Sequence, residues 1–273
     1  INLFVKTGKK KKGQLGKLAQ IDLFGQREMK YDKLNRKSIK NFGFTNVNSP
    51  APMHFFIAKD FSLAKIYEAD ISIAQLLPRN SVGFVTSRDH FVIDISKPVL
   101  KTRIENFFAL SKNEIQTKYG LGENSSFKIN QVQKGAKNFQ ENAICEVAYR
   151  PFDDRFVYFV DEFIERSRHE VMNHLRSQGN VAINYCKQFK TGDEYYHFFI
   201  VKKIFESCIV SNRTSEITYG APLYLYPEAG EADMFNTPSP HRGEGAGGGV
   251  PNLNMEIVAA VAEKIGLKFE DDG

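Results

Sequence analysis

Between Tyr149 and Leu175 the chain gathers five side chains able to bond phosphates or bases: Arg150, Arg155, Arg166, Arg168 and His169. They surround a short apolar strand, Phe156-Val157-Tyr158-Phe159-Val160, that reads as buried on both faces. If residues 165–176 form one helix, its step of about 100° per residue places Arg166, His169, Asn173 and Arg176 together. Ile164, Val171, Met172 and Leu175 then share the opposite side, and Arg168 falls in that apolar sector as a paired structural arginine. Two arginines, an imidazole and an amide on one face suit a groove or a phosphate backbone. Arg150 and Arg155 flank a turn holding Asp153 and Asp154, next to Tyr149, and can close an ion-pair network that braces a corner and touches no ligand. Residues 141–176 hold eight acids against five arginines, so contacts made here are directional and not those of a simple electrostatic clamp.

Two further stretches offer polar contacts. Thr86-Ser87-Arg88-Asp89 reads as a tight turn between two strands spanning residues 81–95, with hydroxyls and a guanidinium placed for base edges or phosphate. Alternatively, Asp89 caps the turn and pairs with Arg88. Lys9-Lys10-Lys11-Lys12 before Gly13 makes a basic turn, read either as a solvated hairpin tip or as a site for a polyanion held without sequence preference. Metal and catalytic chemistry find no support. His169 and His174 stand five apart, not the four of a helical zinc pair, and no Gly-rich phosphate loop or nucleophile elbow is present. Asn48-Ser49-Pro50-Ala51-Pro52 only superficially suggests the Asn-Pro-Pro-Tyr tetrad of adenine methyltransferases, since its prolines are not adjacent. No catalytic residue and no metal ligand is assigned.

The elements that must position these groups follow from pattern. Residues 1–6 read as the end of a strand, 22–40 as helical in their later part, and 53–59 as a strong strand. A short helix at 71–77 closes at Pro78. Leu100 to Tyr119 reads as one helix, with Ile104, Phe107, Phe108 and Ile115 at helical spacing and Gly120 as its stop. Residues 122–137 read as a polar linker leading into strand Ile144–Ala148. Beyond the central stretch, 181–185 and 195–201 read as paired strands across Thr191-Gly192-Asp193, and 204–210 and 221–226 complete a β-rich section. Residues 228–249 hold six glycines and two prolines and read as a flexible linker or insertion. Asn254 then caps a helix with Ile257, Val258, Val261 and Ile265 on its buried face and Gly266 at its end.

With 273 residues the chain fits one large domain or two modest ones. The net charge of +5 is uneven: residues 1–40 carry twelve Lys/Arg against three acids, leaving 25 basic against 29 acidic elsewhere. Three cysteines, far apart and odd in number, read as reduced thiols of a cytoplasmic protein. No apolar run approaches the roughly 18 residues of a membrane span. A start at Ile1, in mid-strand, suggests a fragment of a longer protein.

The order of blocks resembles a known family. Ile1 to Lys6, Asp22-Leu23-Phe24-Gly25 with Arg27-Glu28 and Lys30-Tyr31, Gly83 to Phe91, Tyr149 to Arg155, His169 to Leu175, and Pro222 to Pro227 resemble the C-terminal region of type ISP restriction–modification enzymes and related adenine-specific DNA methyltransferases. The most specific blocks are Tyr149-Arg150-Pro151-Phe152-Asp153-Asp154-Arg155 and Arg168-His169-Glu170-Val171-Met172-Asn173-His174. The resemblance implies an α+β fold, a mixed-sheet target-recognition domain with packed helices, preceded by the terminal strands of a methyltransferase core. It implies residues 1–40 as the end of that core with a basic connector, and 41–227 as the target-recognition domain. Residues 228–250 depart from the family pattern as an insertion, and 251–273 form a docking helix. The implied function is sequence-specific recognition of double-stranded DNA, presenting an adenine to an upstream methyltransferase domain of the same chain, with no catalysis here. S-adenosylmethionine is expected in the parent chain and no cofactor in this part. Lys9, Lys10, Lys11 and Lys12 would add phosphate affinity. Thr86, Ser87, Arg88, Arg166, His169, Asn173 and Arg176 would contact DNA, while Tyr149, Arg150, Asp153, Arg155 and Arg168 hold the structure. The rival reading is a structural module that couples the core to other domains without base readout.

Overall fold

The structure, a computed structural model, describes residues 2–268 apart from 7, 52, 137, 177, 178, 189, 191–193, 212 and 228–248. The Gly-rich segment therefore lies outside the described residues except for 249–250, as does the turn Thr191-Gly192-Asp193. The chain divides into two compact units, 1–70 and 71–273. The sequence reading placed a boundary at 40/41.

In the first unit, strands β1 (Ala19–Gln20) and β2 (Thr45–Asn46) pair antiparallel. Helices α1 (Arg27–Arg36) and α2 (Ala64–Ala69) complete the unit, with a 3-10 turn at Ile39–Asn41. No described residue of 1–70 is buried. The strands expected at 1–6 and 53–59 do not form among the described residues. In the second, His54 turns to φ +48° while Phe55 stacks on Phe61 at 6.3 Å.

The second unit opens with α3 (Ile73–Leu76), held by a capping box between Ser72 and Gln75. It then builds two four-stranded sheets. The mixed sheet runs β4 (Ile93–Asp94), β6 (Asp153–Tyr158), β5 (Ile144–Arg150), β9 (Ile204–Phe205), with β5 and β9 parallel. The antiparallel sheet runs β3 (Ser81–Val82), β10 (Thr218–Pro222), β7 (Ala182–Cys186), β8 (Phe198–Val201). A further pair joins β11 (Tyr224–Leu225) to β12 (Val250–Pro251). The architecture is α+β, as the sequence led us to expect.

The segment after β3 stitches the sheets together: Phe84 exchanges backbone hydrogen bonds with Phe205 and Ser207, and Val85 does so with Arg166. That close approach requires Gly83, where a Cβ would sit 2.6 Å from the Ser207 nitrogen.

This geometry corrects the expected hairpin around Thr86–Asp89. Its arms belong to different sheets, and between them residues Asp89–Val92 form a helical turn, α4. The expected helix 100–119 is two helices, α5 (Lys97–Ala109) and α6 (Lys112–Tyr119). Ser111 breaks it by accepting from the Glu114 backbone in a second capping box. The polar linker 122–137 is also corrected: it carries α7 (Ile129–Gly135) and sends Phe127, Ile129 and Val132 into the core. The core is aromatic. Phe107 meets Phe163 edge-on at 4.9 Å and Tyr158 meets Phe163 at 5.1 Å, each such pair contributing about 0.5–1.5 kcal/mol beyond its burial.

The single helix expected over 165–176 is corrected as well. Arg166 is tied into its bridge with Val85, Arg168 turns to φ +56°, and only Asn-, His- and apolar-rich residues beyond it coil. They form α8 (His169–Met172) and a 3-10 turn, Asn173–Leu175. The C-terminal helix α9 (Met255–Ile265) has the expected caps, with Asn254 accepting from Glu256 and Ile257 and Gly266 left-handed. Its apolar side is less covered than expected, since no residue of α9 is fully buried and Ile265 is 60% exposed.

Candidate nucleic-acid interface

The Tyr149–Arg155 block is the β5–β6 hairpin and its two-residue turn. Arg155 forks onto Asp153, with Nε at 2.9 and 3.0 Å from the two carboxylate oxygens and Nη2 at 2.7 Å from one. That fork holds the Asp153 carboxyl below its ordinary range. Arg150 reaches away from the turn to the buried Glu206, 2.8 Å off. Both guanidiniums lie over the Tyr149 ring, at 3.9 Å for Arg150 and 4.3 Å for Arg155. The Tyr149 hydroxyl donates to Asp89 at 3.0 Å, and burial, reinforced by that carboxylate, pushes its phenol up to about 12. Lys203 closes the outer side by pairing with Asp154 at 2.6 Å and Glu146 at 3.0 Å. The block is thus a braced corner with its charges matched.

Thr86 and Arg88 face inward. Thr86 is fully buried and donates to Asp89. Arg88, 5% exposed, donates to the Phe163 carbonyl at 2.7 Å and to Glu165 at 2.9 Å, with its guanidinium 4.1 Å from the Phe127 ring centroid. Ser87 is exposed, at φ +57°. The alternative in which Asp89 caps the turn and pairs with Arg88 is corrected: the Arg88 N–H goes to the Thr86 hydroxyl, Asp89 accepts from the Thr86 and Tyr149 hydroxyls, and the partner of Arg88 is Glu165, a carboxylate 77 positions away.

The segment 166–176 presents the other named residues. Arg166 is exposed and forms no ion pair among the described residues. His169, Asn173 and Arg176 gather around Phe159: the imidazole meets that ring edge-on at 5.8 Å and the Arg176 guanidinium lies 5.3 Å from its centroid. His169 Nδ1 is 3.2 Å from Asn173 Oδ1, and its Nε2 donates to Asp161 at 2.7 Å. Ser167 donates to the same carboxylate. Burial raises the Asp161 carboxyl, but those two hydrogen bonds and the charge of Arg176 outweigh it and leave the group below its ordinary range. Asn180 anchors the segment from beneath by donating to the His174 and Tyr224 carbonyls at 2.9 and 2.7 Å, and Tyr226 N–H donates to His174 Nδ1 at 3.1 Å. Arg168, expected to be paired, is half-buried, and among the described residues its Nε has no hydrogen-bond partner.

The structure therefore brings His169, Asn173 and Arg176 together, leaves Arg166 open, and sets Thr86 and Arg88 inside the fold. Lys9 to Lys12 are exposed in the first unit, on a turn closed by Gln14 N–H to the Lys11 carbonyl, with Lys10 Nζ bonded to the Leu15 carbonyl. Asp161, Glu165 and Glu206, which position most of these groups, were not singled out from the sequence. An acid opposite an arginine across a fold leaves no spacing to detect. Among the described residues no group of His, Cys, Asp and Glu is arranged to hold a metal, and no helix is long and apolar enough to cross a membrane.

Comparison with known proteins places this geometry. The profile of a family described as the Type ISP C-terminal specificity domain matches residues 75–272. No curated protein matches the chain. Among solved structures it is similar to the cryo-EM structure of a DrdV–DNA complex, at 15% identity and TM-score 0.55, covering 88% of this chain and 24% of that one. It is similar to a nuclease-deletion mutant of the Type ISP restriction-modification enzyme LlaGI in complex with a DNA substrate mimic, at 16% identity and TM-score 0.53, covering 90% and 20%. A third is the ATP-dependent Type ISP restriction-modification enzyme LlaBIII bound to DNA, at 14% identity and TM-score 0.54, covering 84% and 15%. At these identities the likeness is one of fold, and the chain spans less than a quarter of each of those chains.

Proposed function

The chain belongs to the Type ISP C-terminal specificity domain family, and from that premise we propose that it reads the base sequence of double-stranded DNA through the segment 166–176. The observation that carries the reading is the pair of surfaces on one element. Its inner side is pinned by Asn180 and His174, while Arg166 and Arg176 stand exposed and His169 and Asn173 are half-buried. Two guanidiniums and an amide on a backbone held from beneath supply directional groups for base edges and phosphates, beside an imidazole bonded to Asp161. Ser87 is a further contact, whereas Thr86 and Arg88 shape the turn from inside. Lys9 to Lys12 add salt-sensitive, sequence-independent affinity.

In this reading the domain presents an adenine to an upstream methyltransferase core of the same cytoplasmic protein, which flips and methylates it. S-adenosylmethionine would be held by that core, and no residue described here is given a role in binding it. The rival, a coupling module, draws on one observation: the first unit buries no described residue and exposes Phe4, Phe24, Tyr67 and other large apolar side chains. We assign that unit a coupling role toward the core, alongside DNA reading by the second.

The test is binding to a panel of duplexes over a range of salt. A DNA-reading domain discriminates among sequences by about 4–10 kcal/mol and weakens steeply with salt. Indifference to both variables would overturn the proposal.

A further inference from the structure

The braced corner ends in a residue that its own packing does not explain. Arg150 pairs with Asp153 across β5 and β6, so Pro151 and Phe152 are the whole turn. Proline at the first place and positive φ at the second is the pattern of a type II turn, whose second place favours glycine or asparagine. Phe152 occupies it at φ +62° with its side chain fully exposed. A bulky residue at positive φ is strained, and a bare phenyl ring in water gains nothing from burial. The fold is therefore served worse by Phe152 than by asparagine on both counts.

The mount beneath that ring is stiff and electrically closed. Arg155 holds Asp153, Lys203 holds Asp154, and Arg150 is drawn off to Glu206. The Tyr149 ring lies against both guanidiniums and is tied to Asp89. With every adjacent charge satisfied internally, the tip is poorly suited to phosphate. It offers a single aromatic face on a fixed support. Protein anchors of this kind sit within an apolar patch, whereas the chain neighbours of Phe152 are Pro151 and the ion-paired Arg150, Asp153 and Asp154. The flat partner that needs no surrounding apolar patch is a nucleobase, which every sequence supplies.

We propose that Phe152 is a base-stacking wedge: on DNA its ring enters the base stack, at a step or in the space left by an extruded base. The inference rests on the DNA-reading role proposed above and adds a contact outside segment 166–176. The two are within reach of one duplex. Arg176 interacts with Cys145 at the start of β5, and Phe152 follows seven residues later, at most about 23 Å along the hairpin at about 3.3 Å per residue. One turn of DNA spans about 34 Å.

The experiment uses the full-length protein and a random-sequence duplex pool, from which the wild type enriches its preferred site. Affinity for the enriched duplex is then measured for wild type, Phe152→Asn and Phe152→Trp, with 2-aminopurine scanned along that duplex to report unstacking. The wedge predicts that Phe152→Asn keeps or raises Tm while its affinity falls about tenfold or more. Its salt slope stays that of the wild type, because no phosphate contact is lost. Phe152→Trp keeps the affinity, and one 2-aminopurine position brightens with wild type but not with Phe152→Asn. Equal affinity and equal fluorescence for wild type and Phe152→Asn would overturn the wedge. So would unchanged DNA binding with a loss of assembly, which makes the ring a protein anchor. If the wild type enriches no sequence, the DNA-reading role itself fails; enrichment without a Phe152 effect removes the wedge alone.

Discussion

Arg88 and Glu165 meet at 2.9 Å between Nη2 and Oε2, joining the turn after Phe84 to the strand-like segment that carries Arg166. Ser126 donates to the other oxygen of the same carboxylate, at 2.5 Å. A cation that is 5% exposed thus fixes the base of the surface proposed to face DNA.

Removing that cation is expected to act on stability. Arg88→Ala leaves Glu165 without its cationic partner and the Phe163 carbonyl without its donor, a cost of about 2–3 kcal/mol given that Glu165 is partly solvated. Urea unfolding of the variant measures it. A variant as stable as wild type that nevertheless loses DNA would return Arg88 to the interface.

The pH dependence follows from the same carboxylates. Hydrogen bonds from Ser126 and then Arg88 hold Glu165 below its ordinary 4.5, and the Arg155 fork holds Asp153 below 3.8. A folded pKa lower than the unfolded one gives stability that is complete above the unfolded value and is lost as pH falls through the folded one. Tm should therefore be insensitive to these groups above about pH 5 and decline from roughly pH 4.5 downward. Glu165→Gln should show a shallower decline, and an identical acid limb in the variant would remove Glu165 from the account.

Cys145 reports on Arg176. Burial pushes its thiol up to about 11, and the neighbouring Arg176 only partly offsets this. The native thiol should then carry about a hundredfold less thiolate than an ordinary cysteine and alkylate correspondingly slowly near pH 8. Arg176→Ala, lacking the offsetting charge, should react more slowly still at fixed pH. Faster alkylation in the folded variant would show that Arg176 shields the sulfur more than it polarises it.

How much of this was legible from the chain depends on the range of the interaction. Local devices were readable: the Asn254 and Gly266 caps, the 182–186 and 198–201 strand pair, and the ionic block at 149–155 all follow from neighbouring residues. The break at Ser111 was equally local, marked by Glu114 three places on, and the run of helical phenylalanines masked it. What the sequence could not convey was partnership across the fold. Val85 captures Arg166 in a backbone bridge, so the helix assumed for 165–176 begins four residues late, at His169. The surface grouping of His169, Asn173 and Arg176 survives because all three lie beyond Arg168, where the chain does coil. Thr86 and Arg88 moved inward because Asp89 and Glu165 await them there.

The most direct test of the central claim is the salt dependence of binding to the enriched duplex by wild type and the double variant Arg166→Gln, Arg176→Gln. The account predicts an unchanged Tm, a loss of at least tenfold in affinity, and either reduced discrimination against a scrambled duplex or a salt slope lower by about one for each arginine that contacts phosphate. A double variant that binds with wild-type affinity and selectivity, or that fails to fold, would contradict DNA reading by segment 166–176.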